Sequence, residues 1–530
     1  MQHQLGHVLQ SKPCAARTAS LTLLLTLVVA SALCACDRNA SAQRPAGLAV
    51  LLPRDAQQLD PRFVGDAYGH KLSRLIFASL MRIDPQTLEP VPDLARSVRM
   101  LSDTEYRVEL RPNLRFSDGS VLDADDVVAT FRSVVDPTLH TRYASTYERI
   151  QEVKAIDANT ITFRLNGPHA SFLSDLEMPI LRAEDAHRRL SLEANTPVGA
   201  GPYVLAERHP GGLELVPNPH WYEGTPRVPR IRMLVVRDDN TRALRLLSGA
   251  ADYTLNGVPA GLLPLFTPAK GFAVETASGI GTTYLGINTR APGLSDVRVR
   301  QALALAIDRR SLIAAKLSGR AELASSFVPN GHWAYAADTP SYAFDPARAR
   351  ALLAAAQLGG PRNAADKSAA PRVHWVLRCS SERYRVSIAR AVAAMLADVG
   401  IAVRVQPSET ATLLADLDRG HFELTLLQFP ELIEPHVLSW VFASERIPGP
   451  GREGLNRWRY ADPELDAALE RGRRSSDRET RKLAYKDVQR RLAEQLPVVP
   501  LWHEAVVAVR AQSAPAIGVP RDGRFTTLAR

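Results

Sequence analysis

Residues able to do chemistry are scattered along the 530-residue chain. It carries neither a Gly-x-Ser-x-Gly nucleophile turn nor a His-Glu-x-x-His helix motif. His503-Glu504 comes nearest to the second, but no histidine follows at the required spacing. No glycine-rich loop of the phosphate-cradling kind occurs, and the histidines lack metal-ligand spacing. His436, close behind Glu434, is the one histidine placed for metal work, although a histidine after a proline at a helix start is more often structural or solvated. These absences point away from an enzyme and require no cofactor and no protein-bound metal. The net charge of +9 could suggest a nucleic-acid partner. The basic residues, however, are dispersed among acids, as in Arg298, Arg300, Asp308, Arg309 and Arg310, and no aromatic-basic stripe accompanies them. No nucleic-acid partner is expected.

The N-terminal residues set the compartment. Lys12 and Arg17 precede an apolar run from Leu21 to Leu33. That run is shorter than the roughly 20 residues a membrane-spanning helix needs, so it reads as a secretory signal. Leu33-Cys34-Ala35-Cys36 resembles the lipobox of bacterial lipoproteins, which implies a signal over residues 1–35, a lipid on Cys36 and a polar tether over 36–47. Asp37 is similar to an inner-membrane retention signal, implying a periplasmic protein held at the outer face of the inner membrane. With Cys14 and Cys34 removed and Cys36 acylated, Cys379 has no partner and reads as a small buried hydrophobe.

A chain of this length exceeds one ordinary domain, so two or three lobes are expected. Leu48 to Leu52 reads as a buried strand, and Lys71 to Leu80 as a helix with Leu72, Leu75 and Ile76 on one face. Tyr106, Val108 and Leu110 alternate with charged residues, as do Ile161, Phe163 and Leu165 with polar ones, the mark of half-buried strands. Asp123, followed by Asp126 three positions on, predicts a capped helix start. Asp296 and Asp308 predict two more. Tyr284 to Asn288 reads as a buried strand, and Val373 to Leu377, Arg383 to Val399 and Ala402 to Gln406 as strand, helix and strand with parallel pairing. Ala354 to Pro371, rich in Ala, Gly and Pro, predicts a surface loop. Ala484, Val488, Leu492 and Leu496 form a helical stripe before the strand Val498 to Leu501.

Several ordered blocks resemble one family, the importer receptors that include oligopeptide-, dipeptide- and nickel-binding proteins. They are Leu110 to Gly119 with Asp123 to Val127, Pro197 to Tyr203 with Asn218 to Tyr222, and Tyr284 to Asn288 with Asp296 to Ala302. Asn456, Tyr460 and Pro463 to Asp466 follow, then Leu496 to Trp502. The resemblance implies an α/β, two-lobed periplasmic-binding-protein fold of type II, in the large three-domain subclass with a hinge and an interlobe cleft. Residues 48–83, 198–288 and 497–530 would form lobe I, 84–197 an inserted α+β domain and 289–496 lobe II. The crossings would lie near Thr289 and Pro497.

The same resemblance implies capture of a short peptide in the cleft by a monomer, and delivery to the permease of an ABC transporter. Relatives pair an acidic residue with the peptide amine, and Glu431 occupies that position three residues before Glu434-Pro435. Aspartate is usual there, so glutamate is a departure. A carboxylate in a partly dry cleft still makes a strong charge-assisted hydrogen bond to an ammonium group. Main-chain groups of Leu427, Gln428 and Phe429 would pair with the ligand as an added strand, a mode that gives affinity without reading side chains. Asp66, Tyr68 and Tyr284 are further cleft candidates, each able to be a surface or core residue instead. Within the same family a nickel chelate, haem or an oligosaccharide is the alternative ligand, and a ligand-sensing signalling receptor the alternative role.

Overall fold

In the computed structural model, which describes residues 47–191, 196–358, 374–452 and 454–530, two large sheets carry the architecture. The expected signal, the lipid site at Cys36, the tether before Gly47 and the predicted loop beyond Leu358 lie outside the described residues. From Leu48 to Arg530 the chain forms one compact unit.

The first sheet has seven strands in the order Phe272–Ala277, Val506–Ala511, Tyr253–Leu255, Leu48–Leu52, Ile231–Val235, Gly212–Pro217 and Tyr203–His209. Leu48–Leu52 is buried along its whole length and pairs parallel with strands on both sides. That environment explains a continuous apolar run in place of alternation. The second sheet has six strands in the order Ala321–Leu323, Val498–Glu504, Thr282–Ile287, Leu424–Phe429, His374–Ser380 and Ala402–Ser408. His374–Ser380 and Ala402–Ser408 are parallel, as a strand-helix-strand crossover requires, and helix Arg383–Asp398 joins them. Cys379 is fully buried in the core of this lobe.

Two expectations change. The chain does not cross between the sheets near Thr289 and Pro497. Thr282–Ile287 and Val498–Glu504 both belong to the six-stranded sheet, paired with each other. The passages therefore lie at residues 278–281 and at Ala505, immediately before and after these strands. A fully buried strand reads the same in either sheet; only the pairing assigns it. The first helix is also displaced, spanning Ala67–Ile76 in place of Lys71 to Leu80, because Asp66 caps it one turn earlier.

A four-stranded antiparallel sheet, Ala95–Ser102, Glu105–Leu110, Thr160–Leu165 and Ile150–Asp157, stands apart in the order given. Tyr106 faces Phe163 and Val108 faces Ile161, so the alternating residues meet on one buried side. Helix Ala124–Val135 packs into the same core. Its start carries a complete capping box between Asp123 and Asp126. Helices Val297–Ala306 and Arg309–Leu317 begin at Asp296 and Asp308, whose side chains accept from Arg298 N and Ser311 N.

Candidate functional site

A cavity of about 610 Å³ lies between the two large sheets. The first lobe contributes Lys71, Arg242 and Asn256; the second contributes Tyr384, Gln428 and Glu431. Glycines let the crossing segments come this close. A Cβ on Gly279 would sit 2.0 Å from the Glu504 carbonyl oxygen, a separation only glycine permits.

Strand Leu424–Phe429 borders the cavity at Gln428, and Pro430 and Glu431 continue the lining beyond it. One edge pairs antiparallel with Thr282–Ile287 along its full length, from Ile287 opposite Leu424 to Thr282 opposite Phe429. The other edge pairs with His374–Ser380 only at Leu424 and Thr425. Beyond that point, Leu426 to Phe429 have no strand on that side among the described residues. Leu427 and Phe429 turn their side chains toward the apolar core of the second lobe, while Gln428 is exposed and lines the cavity. Arg385 holds the Gln428 side chain by donating to its Oε1 at 2.5 Å.

Glu431 follows this strand past Pro430, with its side chain 37% exposed and bordering the cavity. One oxygen, Oε2, lies 3.3 Å from Nη2 of the buried Arg524. Arg524 also donates to Glu177, which pairs in turn with Arg74 at 3.0 Å. The two guanidinium groups outweigh burial and hold the Glu177 carboxyl below its ordinary range. Burial alone would lower Arg524, but Glu177, Glu431 and Asp522 together raise it. Asp522 is buried and lines the cavity; its desolvation raises its carboxyl despite the nearby Arg524.

The other sequence candidates fall in different places. Asp66 spends its carboxylate on the helix start, accepting from Tyr68 N at 3.1 Å, Gly69 N at 2.8 Å and Gln57 N at 3.2 Å. Tyr68 packs against the first lobe's core, and burial pushes its hydroxyl up to about 12. Tyr284 is 4% exposed, wedged between Phe327 and Trp458 at ring-centroid distances of 4.8 and 5.4 Å. Arg481 Nη2 lies 2.6 and 2.9 Å from the two carboxylate oxygens of Glu434, which is outside the cavity lining. His436 stacks edge-on to His169, and burial lowers its imidazole to about 3. The structure thus brings together Gln428 and Glu431, and adds Lys71, Tyr384, Asp522 and Arg524, which sequence reasoning missed. Lys71 had a usable signal, one turn beyond Tyr68 on the same helix. Arg524 and Asp522 lie in a C-terminal stretch without periodic pattern and had none.

Sheet order, hinge passages and interlobe cavity define a type II periplasmic binding protein. Over residues 89–445 the chain matches the family described as bacterial extracellular solute-binding proteins, family 5 (middle region), and it belongs to that family. Members are substrate-binding components of ABC transporters, not enzymes. The chain is 28% identical over 466 residues to the probable di/tripeptide-binding protein 5 of Pseudomonas aeruginosa, covering 82% of this chain and 85% of that one. It is likewise 28% identical over 466 residues to the peptide transport periplasmic protein SapA of Salmonella typhimurium, covering 81% of each. Among solved structures, NikA of Brucella suis in complex with Fe(III)-EDTA superposes with a TM-score of 0.79 at 21% identity, covering 91% of this chain and 99% of that one. The oligopeptide-binding protein AppA of Bacillus subtilis, in complex with a nonapeptide, gives 0.73 at 23% identity, covering 92% and 99%.

Proposed function

We propose that this protein captures short peptides in the cleft between its two large sheets and delivers them to the permease of an ABC importer. The observation that carries this reading is the open strand edge at Leu426 to Phe429, which borders the cavity at Gln428 and leads through Pro430 to the Glu431 carboxylate. An extended peptide can add to that edge through its main chain, while its α-ammonium meets a carboxylate in a partly desolvated site. Pro430 has no N–H to donate, so at that position the chain can only accept. The peptide-binding names of the Pseudomonas and Salmonella relatives support the same ligand class.

In this reading Glu431 shares its charge with Arg524 and turns the remaining oxygen to the ligand. A peptide touching both lobes favours the closed arrangement by its differential affinity, and the permease reads that closed surface. The protein acts as a monomer, held at the membrane through a lipid on Cys36. Intact-mass measurement of membrane-extracted protein checks the anchor: the acyl mass on a chain beginning at Cys36 is expected, and its absence removes that part.

Calorimetry on the purified protein, unfolded and refolded to strip carried-over ligand, tests the main claim. Wild type and Glu431→Ala are titrated with tri- to pentapeptides and with their N-acetylated forms. Binding by the wild type that falls about tenfold or more on acetylation, and similarly in the variant, supports the amine anchor. Acetylation sensitivity that persists in Glu431→Ala moves the amine site elsewhere. A folded wild type that takes no peptide excludes the peptide reading.

A further inference from the structure

Lys71 is a cation that the fold has carried into the cleft. It sits on the first helix, Ala67–Ile76, and borders the same cavity as Glu431. Its ammonium lies 5.4 Å from the centre of the Tyr68 ring and 5.8 Å from that of Phe525, and would be 3.7 Å from a Cβ placed on Gly523. The two rings and the glycine are its neighbours where it borders the cavity. Among the other cavity-lining cations, Arg242 donates to the Gly257 and Val236 carbonyls at 2.7 Å each, Lys316 to Ser387 Oγ at 2.7 Å and Arg521 to Asn330 O at 2.8 Å, while Arg320 reaches only its neighbour Ser318 O at 3.5 Å. Lys71 makes cation–π contacts instead, which leave the three N–H groups of its ammonium for an acceptor.

Charge balance sharpens the point. Around Glu431 the side chains of Arg74, Lys71 and Arg524 face those of Glu177, Glu431 and Asp522, three cations against three anions. Burial lowers the Lys71 ammonium, and Glu431 and Asp522 pull it back up. A ligand that brought only an ammonium to Glu431 would add a net positive charge beside Lys71. A ligand that brings a carboxylate as well adds no net charge there, and in a partly desolvated cleft that difference is costly to ignore.

We propose that Lys71 is the carboxylate-recognising group of the cleft, so that the peptide presents an ammonium to Glu431 and a carboxylate to Lys71. This rests on the peptide reading above. The carboxylate has two possible sources, the peptide's C-terminus or an acidic side chain on its first residue.

The test titrates wild type, Lys71→Met and Lys71→Gln with Ala-Ala-Ala, its C-terminal amide and the amide of Asp-Ala-Ala, with thermal unfolding to verify that each variant folds. Two variants of different polarity are used so that one failing to fold leaves the other to be read. If the C-terminus is the source, amidation of Ala-Ala-Ala weakens wild-type binding by about tenfold to a hundredfold, and the folded variants no longer distinguish acid from amide. If a side chain is the source, the Asp-Ala-Ala amide binds wild type better than the Ala-Ala-Ala amide by a similar factor, a preference the variants lose. Folded variants that bind all three peptides as wild type does overturn the proposal while leaving peptide capture intact. So do variants that lose the same factor for acid and amide, which would make Lys71 a support for the cleft wall. A wild type that binds none of the three, nor any peptide in the acetylation series, defeats the peptide reading and this proposal together.

Discussion

Asp66 illustrates how one carboxylate can be read two ways. By residue type and position it belongs to a cleft loop; in the fold its oxygens accept from three backbone N–H groups and begin the helix that carries Lys71. Asparagine caps nearly as well as aspartate, whereas alanine costs about 1 kcal/mol. Asp66→Asn is therefore expected to keep stability and peptide affinity close to wild type, and Asp66→Ala to lose about 1 kcal/mol in denaturant unfolding. Loss of affinity in Asp66→Asn with stability intact would mean that its charge reaches the ligand after all. Tyr284 is a parallel case: its ring is core, packed on Phe327 and Trp458, so it bears on the site only by fixing the strand beside Leu424–Phe429.

At the scale of elements, the hinge is the place where sequence and backbone geometry meet most tightly. Residues 278–281 and Ala505 run side by side between the sheets, and Glu504 N donates to Gly281 O at 3.3 Å. Because a Cβ at Gly279 would collide with backbone and not with a movable side chain, Gly279→Ala must push the two passages apart. Overpacking of this sort costs about 1–3 kcal/mol. A lowered unfolding temperature together with weakened peptide binding is expected. An unchanged melting curve would show that the passages can separate freely, and would remove them as a defined hinge.

Across the whole molecule, the lobes meet through polar contacts: Arg524 to Glu431, Arg521 Nη2 to Asn330 O at 2.8 Å and Ser318 Oγ to Ala260 O at 3.2 Å. Contacts of this kind add little unless a ligand joins them, so saturating peptide is expected to shrink the radius of gyration in small-angle scattering. Equal radii with and without bound peptide would argue against closure on binding. Acid should act on the same scale. His332 accepts from Ala334 N through Nδ1 and pairs with Ile433 O through Nε2, an arrangement that needs the neutral ring. Burial lowers both His332 and His503 to about 4. Since the unfolded chain protonates near 6.5, it binds more protons than the fold between those values. Stability is then full above pH 6.5 and falls as pH drops toward 4, by up to about 3 kcal/mol for each ring. His332→Asn should flatten the pH dependence of the unfolding free energy over that window; a slope identical to wild type would place the titration elsewhere.

Local pattern carried a large part of the fold. Alternation in Tyr106, Val108 and Leu110 put these residues on the buried side of a strand, and Asp123, Asp296 and Asp308 each begin a helix, because periodicity and capping depend on neighbours a few residues away. The ordered blocks from Leu110 to Trp502 carried the family, and with it the expectation for Glu431 on which the proposed function rests. Pairing across long sequence distance was decided only by the tertiary structure. Thr282–Ile287 and Val498–Glu504 are apolar enough to serve either sheet, and their hydrogen-bonded register put them in the second. The electrostatics of the site follow the same division. Nothing near Glu431 in the chain announces Lys71, Asp522 or Arg524, since a buried charge is placed by packing from remote segments and balanced there by whichever opposite charges the fold delivers.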